Sequence, residues 1–164
     1  REEIENTLAD YLGISKVIWL GRGLHGSMTD GHVDGVACFV RPRVVMAAST
    51  NDPSDANYPT LTDNLNRLRS ATDAKGRSIE VIKMPLPKRH EFEGKWIAAT
   101  YINFYAPNGG IVAPVYNDPN DKAALAVLRE TFPNREVVGV NSVYIGLGGG
   151  SIHCITQQRP LGPR

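Results

Sequence analysis

The chain has 164 residues, 41% of them hydrophobic and 21% charged, with 18 basic against 17 acidic side chains and a formal net charge of +1. That length builds one core of ordinary size, so a single domain over 1–164 is expected. A nearly balanced charge without a long run of one sign gives no support to a nucleic-acid or anionic-membrane surface, and no apolar run reaches the ~18 residues of a membrane-spanning helix. The two cysteines, Cys38 and Cys154, make no disulfide framework, so a reducing, cytoplasmic location is the default expectation.

In chain order, Glu2, Glu3 and Glu5 favour a helix N-terminus, and Ile4, Leu8, Tyr11 and Leu12 fall on one face of a helix predicted over 2–12 and ended by Gly13. Lys16 to Leu20 reads as a short buried strand. A glycine-punctuated loop then delivers the chain to His32. Val33–Val40 and VVMAAS (44–49) read as two strands joined by the Arg41-Pro42-Arg43 turn, hence a hairpin. Leu61, Leu65 and Leu68 recur at i, i+4 and i+7 and predict a helix to about Ala71, followed by a strand over 78–84.

Residues 85–94, rich in proline and charge, read as a surface loop, with Lys83, Lys88, Arg89 and Lys95 as a solvated edge. A strand is expected over 100–105, a turn at 107–110 and a second strand at 111–116. Asn117-Asp118-Pro119 offers an N-cap and first-turn proline for a helix whose inner face is Ala124, Val127, Leu128 and Thr131. A strand over 136–140 follows. The order strand, strand, helix, strand thus occurs near 33–84 and again at 100–140, which predicts an α+β fold of repeated modules set about an axis. A chain that opens on Arg1, directly into a helix, reads as a piece of a longer product.

The stretch Ile145–Pro160, IGLGGGSIHCITQQRP, is poor core material and good pocket-wall material. Gly148, Gly149 and Gly150 suit a pocket rim, since glycine turns at positive φ and lets a ligand approach closely. Residues 151–156 read as a short strand with Ile152, Cys154 and Thr156 on one side. His153 is then on the other, for packing or structural hydrogen bonding rather than catalysis. His32 and Asp34, two apart at a strand start, share a face, so one can move protons while the other binds a cation. Cys38, inside an apolar strand, reads as core, and His25 and His90 as loop residues. Taken singly, a cysteine is commonly a buried small hydrophobe and a His-x-Asp a surface pair.

GGGSIHCITQQRP resembles the C-terminal signature of the agmatine deiminase and bacterial-type peptidylarginine deiminase family. TDGHVDGVACFVRP (29–42) resembles that family's histidine and aspartate block, and YINFYAPNGG onward the segment joining the two. The resemblance covers the whole chain but about the second half of the family's usual length. It implies a pentein-type α/β propeller of ββαβ modules, here partial, with the N-terminal modules absent. It also implies hydrolytic deimination of a guanidino group, agmatine giving N-carbamoylputrescine and ammonia. Cys154 would be the nucleophile, His32 the acid and base, and Asp34 the carboxylate that holds the guanidinium. Gly149 and Gly150 would line the pocket, and Asp30 would either face substrate or only make a turn.

No metal or organic cofactor is implied. Peptidyl-arginine is the alternative substrate, and a non-catalytic module using His32, Asp34 and Cys154 as zinc ligands the alternative from another class. Apolar faces exposed where modules are missing would favour association with the absent half or a homo-oligomer.

Overall fold

The structure is a computed structural model and describes residues 1–160 apart from Asp30, Arg89 and Glu93. Strands β1 (Ala37–Arg41) and β2 (Val44–Ser49) pair antiparallel, with Cys38 opposite Met46, around a tight turn in which Arg43 takes a positive φ of 69°. This is the hairpin expected from Arg-Pro-Arg. The chain then crosses through helix α2 (Tyr58–Ser70) to β3 (Glu80–Pro85), which runs parallel to β2 with Val44 opposite Glu80 and Ser49 opposite Pro85. β2 is therefore central, and all six of its residues are buried. VVMAAS carries no charge and can be covered on both faces. Leu61, Leu65 and Leu68, the predicted stripe of α2, are buried in the same core as β2.

The order recurs with one strand reduced. β6 (Gly110–Val115), α3 (Asp121–Thr131) and β7 (Glu136–Asn141) repeat the strand, helix, parallel strand pattern, with Gly110 opposite Glu136. The strand expected over 100–105 is not formed; only Tyr105 pairs, in an isolated antiparallel bridge to Val112. Ala124 and Leu128 face the core as expected, while Val127 and Thr131 are half-buried. Asn117 does not cap α3. It takes a positive φ of 57°, and the helix begins after Asn120. Two carboxylates organise that turn instead: Asp118 accepts the Asn120 N–H at 2.8 Å, and Asp121 accepts those of Tyr116 at 3.1 Å and Asp118 at 3.0 Å.

Within the expected surface loop 85–94, β4 (His90–Phe92) begins a short hairpin that β5 (Lys95–Ile97) closes, and Leu86 is buried. Lys83 and Lys88 are exposed, as expected of a solvated edge, and Arg89 lies outside the described residues. Cys38 is partly buried and packs against the core; burial pushes its thiol up to about 12.

Helix α1 (Glu2–Leu12) ends at Gly13, whose left-handed backbone sends its N–H to Ala9 O. None of its apolar stripe is buried. Arg1 stacks 5.1 Å from the Trp19 ring centroid and Trp19 Nε1 donates to Glu5, which ties the helix to residues 16–20. Those residues are not a strand: they pair with none of the described strands. Asn64 of α2 fixes the chain just beyond them, accepting the Gly21 N–H at 2.7 Å and donating to Arg22 O at 2.9 Å. The result is an α+β fold with, among the described residues, three small separate sheets, β1-β2-β3, β4-β5 and β6-β7. Among the described residues no helix is long and apolar enough to cross a membrane.

Candidate active site

Two single turns of 3₁₀ helix build the site where strands were expected. Val33–Gly35 closes through Val36 N–H to Val33 O at 2.8 Å, and β1 starts only at Ala37. Carbonyls that a strand would offer to a neighbour are taken by side chains: Thr100 Oγ1 donates to Gly35 O at 2.8 Å and Asn103 Nδ2 to Asp34 O at 3.3 Å. The second turn is His153–Ile155, pinned by His153 N–H to Asn103 O at 3.1 Å. Side chains step by about 120° in such a turn rather than alternating. His153 is therefore not on the far face from Cys154, and both reach the same carboxylate.

That carboxylate is Asp34. Its Oδ2 lies 3.0 Å from His153 Nδ1 and accepts from Asn103 Nδ2 at 3.0 Å and Cys154 Sγ at 3.3 Å. Cys154 Sγ also reaches Asn103 Oδ1 at 3.4 Å. Asn103 is buried, so one amide holds the aspartate through its nitrogen and the thiol through its oxygen. Partial burial pushes the Asp34 carboxyl up, but the hydrogen bonds from His153, Cys154 and Asn103 and the charge of His153 together outweigh it and hold it below 3.8. Asp34 Oδ1 accepts no hydrogen bond among the described residues.

His32, Asp34, Asn103, Gly149, Gly150 and Cys154 all line one cavity of about 40 Å³. The structure thus brings together every expected site residue it describes; Asp30 lies outside the described residues. Gly150 is in close contact with the nucleophile candidate: a Cβ there would sit 2.7 Å from Cys154 Cβ and 2.8 Å from Sγ. Gly149 takes φ 86°, and a Cβ on it would meet Met28 Cε at 2.7 Å. Among the described residues no three His, Cys, Asp or Glu side chains converge as metal ligands. Through Leu24 and Ala98 the small cavity adjoins a larger one of about 670 Å³, walled by Trp96, Asp52 and Asn57.

Sequence reasoning missed Asn103 and misplaced His153. The available signal for Asn103 was an amide in the middle of an apolar run, Tyr101-Ile102-Asn103-Phe104. A polar side chain buried there needs partners, and Asp34 and Cys154 supply them.

A family model for the Porphyromonas-type peptidyl-arginine deiminase matches residues 1–160. The chain belongs to that family. Relatives of this peptidyl-arginine deiminase family member include the agmatine deiminase of Pseudomonas aeruginosa, 46% identical over 176 residues that cover 96% of this chain and 48% of the relative. That of Pseudomonas fluorescens is 42% identical over 182 residues, covering 100% and 50%. Among solved structures, the agmatine deiminase of Enterococcus faecalis superposes with a TM-score of 0.91 at 40% identity, over 98% of this chain and 48% of that one. The C. jejuni agmatine deiminase gives 0.88 at 28% identity, over 99% and 48%. The chain spans about half the length of these relatives.

Proposed function

We propose that this chain carries the nucleophile, the acid–base histidine and one guanidinium-binding carboxylate of an agmatine deiminase-type hydrolase. The observation that carries the reading is the convergence of His32, Asp34 and Cys154 on one cavity, with the sulfur 3.3 Å from Asp34 Oδ2. A guanidinium bound to Asp34 would take over the carboxylate from the thiol through charge-assisted N–H bonds that set its plane. Cys154 Sγ then attacks the guanidinium carbon, its proton passing to His32. His32 returns that proton to the departing nitrogen, ammonia leaves, and the carbon stays bound to sulfur as an S-amidino group. Water, deprotonated by His32, adds to that carbon; the C–S bond then breaks and His32 returns the proton to the Cys154 thiolate, restoring the thiol. Agmatine would give N-carbamoylputrescine and ammonia. His153, against Asp34, would add positive charge beside the site when protonated.

The agmatine deiminase relatives at 42–46% identity favour agmatine as substrate. The adjoining cavity of about 670 Å³ is roomier than that small amine needs and favours the second reading, a peptidyl-arginine substrate. We further propose that the β1-β2-α2-β3 unit and its reduced repeat β6-α3-β7 belong to a five-module propeller completed by the other half of the family's length, and that the enzyme works in the cytoplasm without a cofactor. Rapid acid quench with agmatine, followed by mass spectrometry of the Cys154 peptide, tests the chemistry. An amidino adduct on Cys154 is expected. Turnover by the wild-type protein with no adduct on Cys154 at any quench time would rule out the covalent route.

A further inference from the structure

One buried phenol joins the two sides of the candidate site. Tyr116, 2% exposed at the end of β6, directs its hydroxyl to Thr100 O at 3.1 Å and Ser151 Oγ at 3.2 Å, and accepts the Thr100 N–H at 3.3 Å. On one side Thr100 Oγ1 holds Gly35 O, next to Asp34. On the other, Ser151, itself buried, follows Gly150, which lies against Cys154. The Tyr116 backbone is fixed from behind by Asp121, which opens α3 and also accepts the Tyr101 hydroxyl at 2.7 Å. The phenol oxygen has every bond it can use inside the protein and does not line the cavity. Its place is structural to the site without touching a ligand.

We propose that Tyr116 is a positioning residue: through Thr100 and Ser151 its hydroxyl sets the distance between the Asp34 turn and the Cys154 turn. The inference rests on Cys154 being the working thiol, but not on which substrate it attacks. Removing the oxygen while keeping the ring leaves Ser151 and Thr100 with weaker partners. The Cys154 turn then keeps the His153 N–H to Asn103 O bond but loses its second anchor to residues 100–103, and the sulfur is held less tightly between Asp34 and Asn103.

The test is alkylation of the chain by iodoacetamide, each cysteine followed separately by mass spectrometry. Cys38, partly buried and packed on the core, reports on loosening of the whole fold. Tyr116→Phe should alkylate Cys154 roughly three- to tenfold faster than wild type, the span of about one neutral hydrogen bond, with Cys38 still protected. Ser151→Ala should act in the same direction, and the double variant should be no faster than Tyr116→Phe alone, because the Ser151 link is already lost with the phenol oxygen. An unchanged or slower Cys154 rate in Tyr116→Phe overturns the proposal. If Tyr116→Phe also exposes Cys38, the milder Ser151→Ala decides: faster Cys154 with Cys38 protected upholds it, and an unchanged rate overturns it. Neither readout uses deimination, so failure of the proposed reaction leaves this test intact.

Discussion

Asp34 gathers His153, Asn103 and Cys154 on a single oxygen, and that arrangement makes its response to acid predictable. Its carboxyl is held below the ordinary value, so it releases its proton more readily folded than unfolded. The stabilisation is present above the unfolded pKa of about 4 and is lost as pH falls through the lower folded value. Urea unfolding should therefore show the wild type ahead of Asp34→Asn at neutral pH and the gap closing below about pH 4. A gap that stays constant to lower pH would remove Asp34 from the stability account. Asn103→Ala strips partners from both Asp34 and Cys154, and should cost roughly 1–3 kcal/mol in the same assay. Cys154, His32, Asp34, Gly149 and Gly150 were legible mainly through the family resemblance of the motifs that carry them, and the structure sets all five around one cavity. Asn103 was not, since its partners lie 69 and 51 positions away and no local pattern links them.

At the scale of elements, periodicity located what packing enforces. The stripe Leu61, Leu65, Leu68 and the uncharged VVMAAS run each mark a surface that must be covered, and α2 and β2 cover one another. Leu68→Ala should destabilise the fold by about 2–5 kcal/mol, the range for an emptied leucine site, measured by chemical denaturation. Runs 16–20, 100–105 and 151–156 alternate or are apolar in the same way but lack a strand neighbour along their length. Asn64 holds the chain just past the first run at Gly21, Thr100 and Asn103 tie the second to Gly35 and Asp34, and the His153 N–H to Asn103 O bond ties down the third; such bonds join residues far apart in sequence. The same irregular turns place the site. Gly150→Ala would drive a methyl group into Cys154, so alkylation of that sulfur and any turnover should both change sharply while Leu68 and its neighbours stay packed. Unaltered sulfur reactivity in Gly150→Ala would mean that the turn shifts freely.

As a whole molecule the chain leaves apolar surface uncovered. The stripe of α1 is unburied, with Tyr11 83% exposed, and β7 shows Val138 and Val140 to solvent. Exposed apolar faces of this kind are what a partner surface would cover, and the propeller proposed above supplies one. A guanidinium has five N–H donors, and Asp34 alone meets few of them. With two charge-assisted bonds missing at roughly 1.5–3 kcal/mol each, binding would weaken by a factor of about 10² to 10⁴. The chain alone should hydrolyse agmatine correspondingly slowly, and adding the remaining half as a separate polypeptide should restore activity. The most direct test of the central claim is ammonia release from agmatine by that reconstituted protein, with Cys154→Ser made alongside. The account predicts release by the wild type and none above background from Cys154→Ser, whose fold is unchanged. Near-normal release by Cys154→Ser would contradict it.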